Sequence, residues 1–325
     1  MSKISIGIMG YGNIGRGVEM AIRQNPDMQL TAIFTRREPK GMGPAGAPFV
    51  SVKDMAQYAG KIDVMMLCGG SATDLPQQGP EAAKLFNTVD SFDTHARIPE
   101  YFSAVDEAAR QAGHLSLISG GWDPGLFSMM RVLGQAVLPE GSDATFWGPG
   151  VSQGHSDAIR RVPGVVDARQ YTIPVEAAVE AARRGQAQDL TARQKHTRVC
   201  YVVAKADADQ EAIRQAIVTM PNYFADYDTT VHFVDQQTLL REHGGIPHGG
   251  FVIRSGRSAA HTEQTMEFSL KLGSNPEFTS SVLVACARAV YRLHQGGKTG
   301  AVTVLDLPIA ALSPLSPEQL RAKML

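Results

Sequence analysis

The segment KISIGIMGYGNIGRGVEM constrains the fold most strongly, because it places a strand, a glycine turn and a helix in immediate succession. KISIGIM is a short β-branched apolar run, and apolar residues then recur at helical intervals until Asn25-Pro26. Between them, Gly10, Gly12 and Gly15 have the G-x-G-x-x-G spacing. This order predicts a dinucleotide-binding turn, in which the helix N-terminus faces a pyrophosphate.

Each glycine of the turn has a physical role in that interpretation. Gly10 permits the tight turn, Gly12 lets the backbone approach the pyrophosphate, and Gly15 lets the helix pack closely on the strand. A flexible glycine turn is the alternative, and the flanking strand and helix argue against it. The cofactor-binding residues predicted here are Gly10, Tyr11, Gly12, Asn13, Ile14 and Gly15.

The second strand, LTAIFT, predicts which dinucleotide is bound. Thr35 lies 20 residues after Gly15, where an NAD-binding chain usually offers Asp or Glu to the ribose hydroxyls. Thr35, Arg36 and Arg37 instead offer a hydroxyl and two guanidinium groups, which suit the 2′-phosphate of NADP. A solvated basic loop is the alternative. The three residues therefore predict NADP as the cofactor.

Further alternation of strands and helices predicts a doubly wound parallel sheet of the Rossmann type. IDVMMLC, NTVDSFD and HLSLISGG are strand candidates, and residues 74–87 and 99–112 have helical patterns. Ligands bind beyond the carboxyl ends of such strands, so the loops there are predicted to contact the cofactor. These loops contribute Gly69, Gly70, Ser71, Ala72, Thr73, Phe92, Asp93, Thr94, Gly121, Trp122, Asp123, Pro124 and Gly125.

From about Gly120 the periodicity changes. The strand candidates ATFWGPG, ARQYTIPV and RVCYVVA are separated by long polar connections, which favours an antiparallel sheet. Residues 278–295 then have helical spacing, and AVTVLDL is a late strand that we expect to return to the first lobe. We therefore predict a dinucleotide-binding domain of residues 1–118 plus about 276–325, and an α+β substrate-binding and dimerisation region of residues 119–275.

Composition excludes several other classes of function. The net charge of -1 gives no global field that would attract nucleic acid or a membrane surface. Three scattered cysteines without CxxC spacing argue against a disulfide framework or a zinc site, so no metal is expected. The chain begins without a secretory leader pattern and has no run long enough to span a membrane. We expect a soluble protein in a reducing cytoplasm.

Several long motifs resemble one enzyme family, the meso-diaminopimelate D-dehydrogenases. The resemblance covers nearly the whole chain and rests on GYGNIGRGVE, IFTRR, LCGGSATDLPQQ, GGWDPGLFS, TFWGPGVSQGHSDAIRRVPGV, IPHGG and SNPEFT. It implies reversible oxidative deamination at the D-centre of meso-2,6-diaminopimelate by NADP⁺, giving ammonia, NADPH and L-2-amino-6-oxopimelate, which cyclises to tetrahydrodipicolinate. It also implies lysine biosynthesis, a homodimer, and substrate held between the lobes.

The substrate carries two ammonium and two carboxylate groups, so its site needs both anions and hydrogen-bond donors. Asp93 and Asp123 are predicted to be catalytic: they suit the D-centre ammonium, and Asp123 or a water it orders is our candidate base. The alternatives are a helix cap for Asp93 and an Asp-Pro turn for Asp123. By resemblance, Trp122, Phe146 and Trp147 wall the pocket, although Trp147 is also a candidate core residue.

Further substrate contacts are implied at both ends of the diacid. Gln153 and Gly154 offer amide and backbone donors to the D-centre carboxylate. For the L-centre, the resemblance implies Thr172, Arg198, His248 and Asn275. Arg198 has the strongest case from chemistry alone, because its fork of donors matches a carboxylate. An isolated histidine such as His248 is more often structural.

Other functions stay open at the level of sequence. Dihydrodipicolinate reductase requires a paired-histidine motif followed by lysine, which is absent, and aspartate-semialdehyde dehydrogenase requires a cysteine nucleophile in a loop, whereas Cys68 ends an apolar strand. A D-amino-acid dehydrogenase of broader specificity and an NADPH-binding regulator without turnover are the two remaining alternatives. Turnover of meso-diaminopimelate discriminates between an enzyme and a regulator.

Overall fold

The computed structural model describes residues 3–39, 45–187 and 189–325. The chain divides into two compact units, one formed by the chain up to Met129 together with Pro276–Leu325, the other by Met130–Asn275. The first boundary predicted from the sequence, residue 118, lies earlier in the chain than this division, because the start of the next helix stays with the first unit.

Fourteen strands are present in the described residues. In chain order they are β1 (Ile4–Met9), β2 (Met28–Thr35), β3 (Phe49–Ser51), β4 (Val64–Leu67), β5 (Asn87–Asp90), β6 (Leu115–Leu117), β7 (Gly141–Trp147), β8 (Gly150–Val151), β9 (Val165–Pro174), β10 (His196–Ala204), β11 (Asp228–Phe233), β12 (His248–Ala259), β13 (Thr262–Leu272) and β14 (Gly300–Val302).

Twelve α-helices connect or flank these strands in the same described ranges. They are α1 (Asn13–Arg23), α2 (Leu75–Ala83), α3 (Ile98–Ala112), α4 (Leu126–Val137), α5 (Gln153–Arg160), α6 (Glu176–Arg183), α7 (Ala192–Lys195), α8 (Gln210–Val218), α9 (Gln236–His243), α10 (Asn275–Gln295), α11 (Ile309–Leu312) and α12 (Pro317–Met324). None has the combined length and hydropathy of a membrane-spanning helix.

The first unit is built on a seven-stranded parallel sheet of order β14-β6-β5-β4-β1-β2-β3. Its central strands β1, β4, β5 and β6 are almost wholly buried because both faces of the sheet are covered. Within β4, Val64 and Met66 join the core cluster that contains α1 and α10, whereas Met65 and Leu67 join the cluster that contains α2 and α3. The predicted Rossmann-type sheet is confirmed.

The expectation for the C-terminal segment of the first unit is also confirmed. β14 pairs in parallel with β6 and adds an edge strand to the sheet. α10 packs its apolar face on the sheet, and its buried Arg288 donates hydrogen bonds to both carboxylate oxygens of Asp27, at 2.6 and 2.8 Å. This ion pair joins α10 to the turn that precedes β2.

The second unit contains two smaller sheets. β11-β10-β9-β8 form one and β13-β12-β7 form the other. The predicted antiparallel arrangement holds for the pairs β8–β9, β9–β10, β7–β12 and β12–β13, but it is wrong for β10–β11, which are parallel. The parallel pair is possible because α8, in the connection from β10 to β11, returns the chain in the same direction.

Candidate active site

The predicted glycine turn of the first unit has the expected local structure. β1 ends at Met9 and α1 begins at Asn13, so the glycine segment is the whole connection between them. A Cβ placed on Gly15 would lie 2.2 Å from the carbonyl oxygen of Gly10, so any side chain there would force α1 away from the turn. A Cβ on Gly12 would meet no atom within 4 Å, which leaves that backbone open to a ligand.

A cavity of about 350 Å³ opens beside this turn. Predicted cofactor residues line much of it: Gly10, Tyr11, Gly12, Thr35, Arg36, Arg37, Gly69 and Gly70. Arg36 Nη1 lies 2.9 Å from Asp74 Oδ1, and the Arg36 side chain remains 69% exposed, so most of its donors are accessible. One cavity therefore contains both an accessible peptide backbone at Gly12 and the guanidinium groups of two arginines. This combination of groups suits the phosphates of a phosphorylated dinucleotide.

Six residues that line this cavity were not predicted from the sequence, and two of them, Asp74 and Gln78, have polar side chains that can reach a ligand; the other four are Met9, Phe34, Val52 and Cys68. Asp74 and Gln78 both lie at the start of α2, one helical turn apart, so they share a face of that helix. Asp74 Oδ2 also accepts a hydrogen bond from the Gly70 N–H, at 2.9 Å. The i, i+4 spacing of these two residues, directly after a loop of small residues, was the pattern from which their place in the cavity could have been predicted. The sequence does not predict which carboxylate forms the ion pair with Arg36.

Two further loops follow β5 and β6 in the same sheet. Ser71 joins the first of them to the loop after β4, because its hydroxyl accepts a hydrogen bond from the Asp93 N–H at 2.9 Å and lies 3.1 Å from Thr94 Oγ1. The Asp93 side chain is exposed, and the N-cap position of α3 is Arg97 rather than Asp93. The helix-capping alternative for Asp93 is therefore wrong.

The loop after β6 carries Trp122 and Asp123. The Trp122 ring is buried and packs edge-on against Phe127, with ring centroids 5.2 Å apart, while Asp123 is half-buried. Asp123 and Pro124 lie in a turn, as the turn alternative for this dipeptide predicts, and the site role of Asp123 stays a prediction. The remaining predicted residue of this loop, Gly125, forms an isolated bridge with Trp122.

In the second unit, Arg198 is the centre of a polar cluster. It lies on β10 directly opposite Thr172 of β9, and its guanidinium donates a hydrogen bond to the Thr172 hydroxyl. The guanidinium carbon also lies 4.0 Å from the ring centre of Tyr227. Only 7% of Arg198 is exposed, and it forms no ion pair within the described residues. A buried cation without a carboxylate partner is costly unless a ligand provides one.

Three histidines surround this guanidinium. Burial, followed by the charge of Arg198, lowers the pKa of His155 and of His196 to about 4. Burial is also the main cause of the lowered pKa of His248, and the Arg198 charge acts in the same direction. His196 Nε2 accepts a hydrogen bond from the Trp147 N–H at 2.9 Å, as a neutral imidazole can. His155 and His196 are therefore neutral at pH 7, and the lowered pKa of His248 favours its neutral form.

His248 is brought to this cluster by a close backbone approach. A Cβ on Gly150 would lie 2.5 Å from the His248 Cα, and the Val151 N–H donates to the Pro247 carbonyl at 2.8 Å. Gly150 is the β8 partner of Thr172, so Thr172, Arg198 and His248 are brought together. Asn275 is fixed separately, through a 2.9 Å hydrogen bond from its N–H to the Ile246 carbonyl.

Other predicted substrate residues lie elsewhere in the second unit. Gln153 and Gly154 are exposed in the first turn of α5, where backbone N–H groups are available. Trp147 is 41% exposed, so the core alternative for it is wrong. Phe146 is fully buried in the core on the opposite face of β7, because successive side chains of a strand alternate. The two side chains therefore differ in burial, and both rings contact the His196 ring, with centroids 5.8 and 5.6 Å from it.

The fold and the cavity of the first unit define a class, the Rossmann-type proteins that bind a phosphorylated dinucleotide. Comparison with known proteins defines the family within it. A family model described as the diaminopimelic acid dehydrogenase C-terminal domain matches residues 121–274. The curated meso-diaminopimelate D-dehydrogenase of Ureibacillus thermosphaericus is 60% identical over 326 residues, covering 100% of both chains. The chain belongs to the meso-diaminopimelate D-dehydrogenase family.

Solved structures give the same result. The diaminopimelate dehydrogenase of C. glutamicum, solved in complex with diaminopimelate, is 48% identical, and the match covers 100% of both chains with a TM-score of 0.93. An engineered D-amino acid dehydrogenase bound to NADP⁺ is 47% identical, with a TM-score of 0.88 and 100% of both chains covered.

Proposed function

We propose that the protein catalyses the reversible oxidative deamination of the D-centre of meso-2,6-diaminopimelate, with NADP⁺ as oxidant. The products are ammonia, NADPH and L-2-amino-6-oxopimelate, which cyclises to tetrahydrodipicolinate. One observation of the structure carries the proposal: Arg198 is a buried cation without an ion-pair partner in the described residues, beside hydroxyl and imidazole groups. An amino diacid provides the carboxylate that this cluster needs.

The residues of the first unit would hold the cofactor as follows. The glycine turn and the N-terminus of α1 would receive the pyrophosphate, and Arg36 and Arg37 would bind the 2′-phosphate. When bound, NADP⁺ supplies the acceptor for the hydride that leaves the D-centre carbon. The loops after β5 and β6 lie at the carboxyl end of the sheet, where the reacting end of the cofactor belongs.

Asp93 and Asp123 would bind and deprotonate the D-centre ammonium. Hydride can leave only from a carbon that bears a neutral amine, so one proton must first be transferred to a base. We assign that proton to the carboxylate of Asp123, directly or through a water that it orders. Gln153 and Gly154 would donate to the D-centre carboxylate, and Thr172, Arg198, His248 and Asn275 would bind the L-centre.

The cellular setting completes the proposal. We infer a homodimer in the cytoplasm that acts in lysine biosynthesis, with a dinucleotide-binding first unit and a second unit for substrate binding and dimerisation. The relatives named above support the choice of substrate. The described residues contain no cluster of three or more metal-ligating side chains.

The test is a comparison of isomers. Purified protein is incubated with NADP⁺ and either meso- or L,L-diaminopimelate, while absorbance of the reduced nicotinamide and release of ammonia are followed. We expect equal amounts of NADPH and ammonia from the meso isomer and neither from the L,L isomer. Equal rates with both isomers, or no turnover of the meso isomer, would contradict the proposal.

A further inference from the structure

Asp90, the last residue of β5, is buried beneath two of the loops assigned to the site. Only 1% of it is exposed. Its Oδ1 accepts hydrogen bonds from the N–H groups of Phe92, at 2.9 Å, and Ser119, at 3.0 Å. Its carbonyl oxygen accepts from the Gly120 N–H at 2.8 Å. One residue therefore holds the start of the loop after β5 and the start of the loop after β6.

The loop after β6 needs this support because its second residue, Ser119, is in a costly conformation. Ser119 has φ of 57°, in the left-handed region that favours glycine. The Ser119 hydroxyl is buried and finds no hydrogen-bond partner in the described residues, so it offers no compensation. The hydrogen bond from the Ser119 N–H to Asp90 instead offsets the cost of this conformation. Four residues further along the same loop lies Asp123.

The loop after β5 is held at both its backbone and a side chain. The Tyr101 hydroxyl donates to Asp90 Oδ2 at 2.7 Å, and the Tyr101 ring stacks on Phe92 with ring centroids 4.2 Å apart. Asp90, Phe92 and Tyr101 thus form a closed set of contacts in the core. Asp93 follows Phe92 directly, so its carboxylate projects from an anchored peptide.

We propose that Asp90 is a positioning residue for the reaction: its carboxylate fixes the loops of Asp93 and Asp123 relative to each other. The inference rests on the proposed function, since those two side chains are the assigned catalytic pair. Asp90 itself contacts neither substrate nor cofactor in this scheme. It acts by restricting the backbone from which both carboxylates project, and small displacements of catalytic groups are costly.

The carboxylate has a geometric advantage over its amide isostere. Two N–H donors converge on Oδ1 and one O–H donor points at Oδ2, so both oxygens act as acceptors. In Asp90→Asn, the amide oxygen can keep the two N–H donors while the NH₂ group replaces the acceptor that faces Tyr101. The variant therefore retains the link between the two loops and loses only the tyrosine contact. Asp90→Ala loses all three bonds.

Asn87 provides a matched control on the same strand. It is 6% exposed, its Oδ1 accepts from the Leu115 N–H at 2.8 Å, and its Nδ2 donates to the Asp63 carbonyl at 2.8 Å. Like Asp90, it links β5 to β6 through a buried side chain. It does so at the amino end of the strands, away from the loops that carry Asp93 and Asp123. Asn87→Ala is thus an equally buried deletion with a purely structural consequence.

The experiment compares Asp90→Ala, Asp90→Asn and Asn87→Ala with the wild type. Thermal unfolding should show that both alanine variants are destabilised. At a temperature where all are folded, with saturating NADP⁺ and meso-diaminopimelate, we expect kcat to fall at least about tenfold in Asp90→Ala and by less than about twofold in Asn87→Ala. Asp90→Asn should lie between Asp90→Ala and the wild type, because it keeps the link between the loops.

Hydrogen exchange gives a second measurement that does not depend on turnover. The amides of Phe92 and Ser119–Trp122 should exchange faster in Asp90→Ala than in Asn87→Ala, whereas Leu115 should show the reverse. Equal kcat values in the two alanine variants, or unchanged protection of the loop amides in Asp90→Ala, would overturn the inference.

If the wild type fails to oxidise meso-diaminopimelate, the proposed function fails, and the exchange pattern still reports whether Asp90 holds the loops. If Asp90→Ala does not fold, Asp90→Leu, which has nearly the same shape and accepts no hydrogen bond, replaces it in both measurements. A kcat and a protection of the loop amides equal to those of Asn87→Ala would then overturn the inference.

Discussion

Arg36 and Arg37 follow β2 directly and give the cofactor cavity its positive charge. Replacing both with alanine should weaken NADP⁺ binding by about 3 kcal/mol, from about 1.5 kcal/mol for each charge-assisted hydrogen bond to the phosphate. This is about a hundredfold in Kd. Binding of NAD⁺, which lacks the 2′-phosphate, should change little. Isothermal titration of both cofactors measures the two effects.

A control for that titration is Arg110→Ala. Arg110 is an exposed arginine of α3 that pairs with Asp106, much as Arg36 pairs with Asp74, but it does not line the cavity. This variant should bind NADP⁺ as the wild type does. An unchanged NADP⁺ affinity in the double variant would disprove the role given to Arg36 and Arg37.

At the residue scale, the sequence predicts which residues bind a ligand better than it predicts which residues contact one another in the fold. The glycine turn and the arginines after β2 could be located because their spacing along the chain is fixed by the motif. Asp74 and Tyr227 could not be located in this way, because only the fold brings each of them to its arginine. Asp74 contacts Arg36 from 38 positions away, and Tyr227 contacts Arg198 from 29 positions away. The neighbours Phe146 and Trp147 show the same limit, because strand alternation places one in the core and the other at the surface.

At the scale of elements, the attachment of α10 depends on one ion pair. Arg288 has a side chain that is 2% exposed, and Asp27 provides both carboxylate oxygens to it. Asp27→Asn should lower the free energy of unfolding by about 2–3 kcal/mol, because a charged acceptor of a buried guanidinium is lost. Urea denaturation at pH 7 measures this change. Asp54→Asn, on an exposed turn, should stay within about 0.5 kcal/mol of the wild type.

The pH dependence of this effect has a definite sign. Hydrogen bonding to Arg288 is the main cause that holds the pKa of Asp27 below its ordinary value. The ionised carboxylate therefore stabilises the fold above the unfolded-state pKa, and this contribution is lost as the pH falls through the folded-state pKa. The difference between wild type and Asp27→Asn should be constant above about pH 5 and shrink in more acidic solution. A difference that grows on acidification would contradict this assignment.

Elements with strong periodicity were predictable, and edge or glycine-rich elements were not. The strands and helices of the first unit follow from apolar runs and helical spacing. β3, three residues long at the sheet edge, has too few residues to show a pattern. β12 starts with His248 and two glycines and so has the composition of a loop, yet it is the central strand of its sheet. Its pairing partners, distant in sequence, determine its conformation.

At the scale of the whole molecule, the two units should respond to acid in opposite ways between pH 6.5 and pH 5, where the Asp27 contribution is constant. In the second unit, the pKa of His155 and of His196 is lowered to about 4, so each histidine binds a proton more readily in the unfolded chain. Stability is lost as the pH falls from about 6.5 towards 4. In the first unit, burial raises the pKa of Asp90 to about 6, so its contribution is largest at low pH and is lost as the pH rises through about 6.

Hydrogen exchange between pH 6.5 and pH 5 can separate these contributions. Amides of β9 and β10 should lose protection relative to those of β5 and β6, with an upper limit of about 2 kcal/mol for each histidine over this interval, from about 1.4 kcal/mol per pH unit. His196→Gln, which keeps an acceptor for the Trp147 N–H but does not titrate, should reduce the loss. A parallel response of both units, or an unchanged loss in His196→Gln, would refute the assignment.

The Rossmann-type architecture could be predicted from the sequence. The order in which the chain forms the parts of this fold affects how the protein folds while it is being synthesised. β14 and α10 complete the sheet and the core of the first unit, and they follow the whole second unit in the chain. While a ribosome makes this protein, the nascent first unit has β6 as an open sheet edge and an uncovered apolar face until more than half of the chain has been added behind it. Anything that halts translation within the second unit leaves a six-stranded sheet whose open edge can recruit strands from other chains.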